Sequence, residues 1–341
     1  MDNPRDKKRG HAIALFSGGL DSILAILLIM RQNIEVTALT FMSHFGCSLS
    51  EHSGCGSDPF PVAEKFAFNV KMVHLGQKFI DIVKSPRYGY GKNMNPCIDC
   101  RILMLQETRQ FMELVGADFV ITGEVLGQRP KSQMRNAMNL VEKKAGLEGL
   151  LVRPLCARLM AETIPEKTGL LDRDQLENIS GRSRKRQIEL ATKMGVDNYP
   201  ESAGGCLLTD RGYSRRLKDL FDHSEKTAID QINLLRVGRH FRLDPNTKII
   251  VGRNERDNEL IRQLAAPHHL SMEALGSGSP ITLFIGPYND RMLKLAAAIT
   301  ARYCDDREKS QIEITCRNET DQFQIIVAPA EHHDIENYQI K

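Results

Sequence analysis

Ser17-Gly18-Gly19-Leu20-Asp21-Ser22 stands between an apolar run, Ala12 to Phe16, and a helix-like stretch, Ile23 to Met30. The run predicts a strand, the glycines a turn, and the residues that follow a helix N-terminus. That geometry binds phosphate, because glycines let backbone N–H groups approach an anion and the helix dipole adds positive potential there. The sequence has no glycine-rich loop ending in Gly-Lys-Ser/Thr, which excludes the usual nucleoside-triphosphate grip. Working outward, β-rich runs at Ala12–Phe16, Glu35–Phe41, Lys71–Leu75, Asp118–Thr122 and Leu150–Leu155 alternate with helical patterns. This alternation predicts an α/β fold, a doubly wound parallel sheet with ligands at the carboxyl ends of its strands.

A chain of 341 residues, 41% hydrophobic and 26% charged, has material for one large core and a second small one. The stretch from Asp172 to Gly195 reads as mostly helical, with Asp172 as N-cap, and Tyr199 to Gly205 as a loop. Tyr213 to Asp230 reads as an exposed, charged connecting helix. From Ile232 the pattern turns to strand-turn-strand, with a hairpin over Phe241 to Val251, a helix over Asn254 to Leu264, a strand over Ile281 to Ile285, a helix over Asp290 to Tyr303, and strands over Ile312–Cys316 and Phe323–Val327. The expected organisation is therefore a first domain over 10–210, a linker helix over 211–231 and a smaller α+β domain over 232–330.

The formal charge of +3 is too mild to demand a nucleic-acid partner. Local basic runs, Arg182-Ser183-Arg184-Lys185-Arg186 and Arg215-Arg216, are candidates for phosphate contact or simply a solvated helix face. No secretory or transit pattern opens the sequence, and the apolar run Ile23 to Met30 is far below a membrane span, so a cytoplasmic protein without a membrane partner is expected.

Eight cysteines in a reducing compartment do not form a disulfide framework, so unusual spacing among them points to metal or catalysis. Asn95-Pro96-Cys97-Ile98-Asp99-Cys100 precedes a helical run, and two cysteines so spaced can chelate one metal while the helix start favours the thiolate. The best third ligand is Cys206, behind the glycine-rich Ser202-Ala203-Gly204-Gly205. Three thiolates suit an iron–sulfur cluster with one iron open, or a three-cysteine zinc site. Cys156, Cys304 and Cys316 stand in apolar or strand contexts and read as packing residues, whereas Cys47 and Cys55, near His44 and His52, are a weaker second metal candidate.

The segment Thr122-Gly123-Glu124-Val125-Leu126-Gly127-Gln128-Arg129-Pro130-Lys131-Ser132-Gln133 follows a predicted strand and belongs at the same sheet edge as the Ser17 loop. The Ser17 to Ser22 string resembles the PP-loop of ATP pyrophosphatases, the adenine nucleotide alpha hydrolase-like enzymes that split ATP between the α- and β-phosphates. Together with the Thr122 segment and Leu151-Val152-Arg153-Pro154-Leu155, it resembles the PP-loop domain of the tRNA 4-thiouridine synthases over roughly Gly10 to Leu159. The resemblance implies ATP-dependent thiolation of tRNA, with Ser17, Gly18, Gly19, Asp21 and Ser22 holding the ATP phosphates and Asp21 helping Mg2+. It implies that Thr122, Gly123 and Glu124 line the nucleotide pocket, and Gln128 with Ser132-Gln133 the adjoining substrate surface.

Two departures bear on mechanism. The N-terminal tRNA-binding module and the rhodanese-like loop typical of that family are not apparent. In their place the Cys97-to-Cys100 segment plus Cys206 is similar to PP-loop tRNA thiolases that hold a 4Fe–4S cluster on three cysteines, which implies sulfide or a cysteine desulfurase-derived sulfur donor. The stretch Leu235 to Asn254 is similar to the NFACT-R domain, an RNA-associated module, and Arg236, Arg239, Arg242 and Arg253 around His240 and Phe241 would offer cations and a stacking surface. Two other functions compete with cluster-dependent 4-thiouridine synthesis. One is a 2-thiouridine synthase or amidotransferase-like synthetase using Cys97 and Cys206 as catalytic cysteines; the other is a non-catalytic RNA-binding adaptor.

Overall fold

In the computed structural model, described over residues 9–46, 58–199, 206–276 and 278–341, the chain divides into two compact units, Met1–Thr209 and Asp210–Lys341.

The first unit is built on a five-stranded parallel sheet in the order β3-β2-β1-β4-β5. Its strands are β1 (Gly10–Leu15), β2 (Ile34–Met42), β3 (Asn69–His74), β4 (Phe119–Thr122) and β5 (Leu151–Val152). Its helices are α1 (Leu20–Met30), α2 (Phe60–Phe66), α3 (Gly76–Lys84), α4 (Cys97–Val115), α5 (Arg135–Ala145), α6 (Ile164–Lys167) and α7 (Lys185–Met194). Because side chains alternate along a strand, Ala12, Ala14 and Phe16 pack on the α1 and α7 side, while Ile13 and Leu15 pack with Ile102, Leu105 and Val141 of α4 and α5. β1 is therefore buried on both faces, which explains its unbroken apolar run.

The expected helix from Asp172 to Gly195 is mostly not one. Asp172 caps only a short 3-10 turn over Arg173–Gln175, and α7 starts at Lys185 and stops at Gly195. Residues between them instead run beside the Thr122 segment, where Leu126 bridges Ser180 and the Gly181 N–H donates to the Leu126 carbonyl at 2.8 Å.

The second unit carries a six-stranded antiparallel sheet in the order β11-β10-β8-β9-β7-β6. Its strands are β6 (Arg239–Asp244), β7 (Thr247–Val251), β8 (Leu270–Ala274), β9 (Thr282–Ile285), β10 (Ile312–Arg317) and β11 (Gln322–Val327). Its helices are α8 (Arg211–His223), α9 (Ile229–Leu234), α10 (Glu255–Leu264), α11 (Asp290–Arg302) and α12 (His332–Ile335). One sheet face packs on α11, through Phe241, Ile249, Met272, Ala296 and Ile314. The other packs Ile250 and Leu283 against Leu234 and Ile261.

The expected linker over 211–231 belongs to this second unit rather than standing apart. Asp219 of α8 accepts Arg242 Nη2 of β6 at 2.6 Å, and Arg216 Nε donates to the Leu235 carbonyl at 2.8 Å. The unit also extends past the expected limit at 330, since Phe241 bridges Gln339 and the Ile340 N–H donates to the His240 carbonyl at 2.9 Å. No helix among the described residues is long and apolar enough to cross a membrane.

Candidate nucleotide and thiol site

The strand order changes direction between β1 and β4, whose ends lie side by side with Leu15 opposite Thr122. Open α/β sheets bind ligands at such a switch point, outside the carboxyl ends of the strands. Both the Ser17 loop and the Thr122 segment leave the sheet there. Gly18 takes φ 73°, a left-handed conformation, and Gly19 caps α1 with extended backbone. Ser22 Oγ donates to the Gly19 carbonyl at 2.8 Å and lies 3.3 Å from Ser17 Oγ, so the two serines brace the turn. In the first turn of α1 the Ser22 N–H donates to the Gly19 carbonyl at 3.0 Å, while the Leu20 and Asp21 N–H groups have no acceptor among the described residues and are available to an anion.

Asp21 is held from one side only. Gln128 Nε2 donates to its Oδ2 at 3.0 Å, while Oδ1 is buried without a hydrogen-bond partner. A hard, unsatisfied carboxylate oxygen beside a phosphate loop fits Mg2+. Gly123 comes closer to this loop than any side chain permits: a Cβ there would lie 2.6 Å from Asp21 C, Asp21 O and Ser22 N.

Glu124 is buried, and its carboxylate is engaged internally. Arg101 Nε lies 3.3 Å from Oε1, and Arg153 Nε and Thr122 Oγ1 donate to Oε2 at 3.2 Å each. Arg153 also donates to Glu142 Oε2 at 2.7 Å and to the Met138 carbonyl at 3.2 Å. Burial alone would raise the Glu124 pKa, but Arg101 and Arg153 outweigh it and hold the carboxyl below its usual range. Arg101, Arg153 and Glu142 escaped the sequence reading as functional positions. Their signal was Arg153 itself, a cation inside the apolar Leu151 to Leu155 stretch, which requires a buried carboxylate.

α4 opens at Cys97, with Cys100 one turn on. Between them Asp99 accepts the Arg87 and Tyr88 N–H groups at 3.1 Å each, fastening the preceding loop to the helix start. That loop approaches closely at Gly91, where a Cβ would lie 3.1 Å from Cys97 Sγ, and Lys131 Nζ donates to the Tyr90 carbonyl. Cys206 arrives through an isolated bridge to Gly46, with the Leu207 N–H donating to the Phe45 carbonyl at 3.1 Å. Just beyond it, the Met94 N–H donates to the Leu208 carbonyl at 3.1 Å and Asn93 Nδ2 to the Thr209 carbonyl at 2.7 Å.

The three thiols share one electrostatic neighbourhood. Burial pushes the Cys100 thiol up to about 12; Arg101 opposes this, and Cys206 and Cys97 add to it. The donor set fits a three-thiolate centre in chemistry, although among the described residues no three His, Cys, Asp or Glu side chains already stand in a metal-holding arrangement. Cys156, Cys304 and Cys316 are buried, as expected. Cys47, Cys55 and the glycines before Cys206 lie outside the described residues.

In the second unit the expected stacking surface is absent: His240 is 1% and Phe241 0% exposed. Arg242 is paired with Asp219 and Arg253 with Asp257, while Arg239 lies 4.5 Å over the Tyr303 ring. In the basic run of the first unit, Arg186 is paired with Glu177 and Glu189, but Arg182 and Lys185 are exposed and their charged ends are unpaired among the described residues.

Residues 7–164 match the family described as thiamine biosynthesis protein (ThiI), and residues 238–339 match the NFACT protein RNA binding domain. A probable tRNA sulfurtransferase of Thermococcus kodakarensis is 26% identical over 156 residues, covering 43% of this chain and 37% of that protein. The tRNA-specific 2-thiouridylase MnmA of Petrotoga mobilis is 25% identical over 248 residues, covering 67% of this chain and 64% of that protein. The chain thus spans less than two thirds of the length of these curated relatives. A 4-thiouridine synthetase solved in complex with RNA and ATP aligns at 21% identity and a TM-score of 0.38, over 55% of this chain and 41% of that one, too slight a likeness to bear on function. The two matched segments fall in the two units separately: residues 7–164 of the first are similar to the ThiI family, and residues 238–339 of the second to the NFACT RNA binding domain.

Proposed function

We propose that this protein is an ATP-dependent tRNA sulfurtransferase that replaces a uridine carbonyl oxygen, foremost that at position 4, by sulfur. What supports the reading is that the segment before Cys97 is tied to the segment after Cys206, by the Met94 N–H to Leu208 carbonyl and Asn93 Nδ2 to Thr209 carbonyl bonds, in the same unit as the Ser17 to Ser22 turn. Oxygen is a poor leaving group. The uracil oxygen therefore attacks the α-phosphorus of ATP, the bond to the β-phosphate breaks, and pyrophosphate leaves. A sulfur nucleophile then adds at the activated carbon, the C–O bond breaks, and AMP departs with the original oxygen. The Ser17 to Ser22 loop and the start of α1 stabilise charge on the leaving phosphates, and Asp21 would hold Mg2+, which supplies further positive charge. Cys97, Cys100 and Cys206 would hold a 4Fe–4S cluster, whose chemistry is to present sulfide on its open iron.

Asp21→Asn is expected to lower tRNA-dependent AMP release by roughly a hundredfold or more, because the orphaned oxygen acts on phosphate or metal rather than in packing. Release of ADP and phosphate by the unaltered protein would overturn the PP-loop reading. Absence of AMP release with any tRNA would favour an RNA-binding adaptor.

A second reading has its own support. The thiouridylase match extends over two thirds of the chain, and the thiols are not in a metal-holding arrangement. On this reading Cys97 and Cys206 act as nucleophile and persulfide carrier without a cluster. Cys100 separates the two, since a thiol held protonated up to about 12 is a poor nucleophile but becomes a ligand once metal displaces its proton. Cys100→Ala should abolish both the iron content of anaerobically reconstituted protein and its thiolation if a cluster operates. Retained thiolation in that variant sinks the cluster and leaves the cysteine pair.

For RNA binding, the NFACT-R-type unit and the exposed Arg182 and Lys185 of the first unit are the proposed contacts. Neutralising Arg182 and Lys185 together to glutamine should weaken tRNA binding and make its logarithmic salt dependence shallower by about one to two. An unchanged slope, measured by filter binding, removes these residues from the RNA surface.

A further inference from the structure

The second unit contains a buried cationic layer that the thiolation chemistry does not use. Across the β6–β7 pair, His240 faces Ile250 and Arg242 faces Lys248. Ile250 packs with Leu234, Val237 and Ile261, so alternation puts His240, Arg242 and Lys248 on the same face of the sheet. His240 is 1% exposed and Lys248 6%.

The hydrogen bonding of this layer is incomplete. His240 Nε2 donates to the Val237 carbonyl at 2.8 Å, which leaves Nδ1 as a bare lone pair. That Nδ1 is buried and has no partner. Burial, then Lys248, Arg216 and Arg253, hold the imidazole well below its usual pKa, against the opposing bond to Val237. The nearby carboxylates are already committed. Asp219 takes Arg242 at 2.6 and 3.1 Å and lies 3.5 Å from His223; Asp257 takes Arg253 at 2.6 and 3.2 Å; Asp210 caps α8 through the Tyr213 N–H. The Lys248 ammonium makes no hydrogen bond or ion pair among the described residues. Burial first, then Arg242 and Arg216, push it down to about 8, with Asp219 pulling the other way.

An ammonium buried beside arginines, whose opposing charge, Asp219, is already taken by Arg242, is short of counter-charge. A buried imidazole acceptor lacks a donor. One ligand chemistry satisfies both. We propose that this layer is a phosphate-binding site, in which Lys248 and Arg216 take the anionic oxygens of a phosphoryl group and His240 Nδ1 accepts a hydrogen bond from its protonated oxygen. The site does not depend on the thiolation reading, since its ligand is either a small phosphate compound or the terminal phosphate of an RNA.

The test uses the full chain with lysines labelled at the ε-carbon, followed by NMR as pH is varied. Lys248→Arg assigns the resonance. Inorganic phosphate at millimolar concentration is expected to raise the Lys248 midpoint by about one unit, the signature of a roughly tenfold preference of phosphate for the charged ammonium. A 5′-phosphorylated RNA tetranucleotide is then compared with its 5′-hydroxyl form. A shift with inorganic phosphate assigns the site to small phosphates; a shift only with the phosphorylated RNA assigns it to an RNA end. Lys248→Met should weaken binding roughly tenfold, and Lys248→Arg, which keeps the charge, should retain most of it. If neither phosphate nor phosphorylated RNA moves the midpoint in the unaltered protein, the layer is no phosphate site.

Discussion

Replacing Gly123 by alanine is expected to weaken ATP binding roughly a hundredfold. The added Cβ would sit 2.6 Å from three backbone atoms of Asp21 and Ser22, a distance that no rotamer change relieves. Either β4 withdraws from β1 or the phosphate loop shifts. Both outcomes spoil the alignment of Asp21 with Gln128 and of the α1 N–H groups with the phosphates. Overpacking of this kind costs about 1–3 kcal/mol, which a unit of this size survives folded. Binding should suffer more, by roughly a hundredfold, because a shift of about 1 Å at a positioning contact suffices for that. Titration calorimetry with ATP beside a thermal melt separates the two effects. A variant that binds ATP like the original chain would show that the close approach does not shape the nucleotide edge.

The second large effect is expected at Glu124. Removing its carboxylate by Glu124→Ala leaves Arg153 buried with Glu142 as its remaining ionic partner, and deprives Arg101 of its own. Breaking a buried ion pair from one side costs about 3–5 kcal/mol, a fall in Tm on the order of 10 °C for a unit of this length. The same group predicts a pH dependence. Its pKa in the folded chain lies below that of an ordinary carboxyl. Its stabilisation is therefore complete above the unfolded value of about 4.3 and is lost as pH falls through the lower folded value. Urea midpoints measured across the acid range should fall less steeply for Glu124→Gln than for the original chain. Parallel acid limbs would mean that Glu124 carries no net stabilisation from its two arginines.

The parts of this molecule that were legible in the sequence are those written locally. The Ser17 to Ser22 turn, the β1 run and the hairpin at Asp244 to Thr247 each carry their signal within a few residues. β8 was not legible, because Leu270, Ser271, Met272, Glu273 and Ala274 have weak strand propensity and are held extended by pairing with β9 and β10. The irregular stretch before α7 was misread for a similar reason: its place beside Leu126 is set by partners about fifty residues earlier. His240 and Phe241 looked like a stacking surface because a single sequence cannot tell a sheet with one wet face from one covered on both. The Arg101–Glu124–Arg153–Glu142 network was hidden because its members come from four different elements. Two of its members, Glu124 and Arg153, fall inside the segments whose family likeness was visible.

The way Cys206 reaches Cys97 and Cys100 bears on biosynthesis. The strands and loops that make the nucleotide edge are all synthesised by Arg153, whereas the third thiol follows some fifty residues later and must be pinned to Phe45, 161 residues before it in sequence. Such distant closures form late. On the ribosome the Ser17 loop and the Thr122 segment can therefore come together while the three thiols are still apart, so under the proposed function an interrupted nascent chain carries a nucleotide edge without its sulfur site.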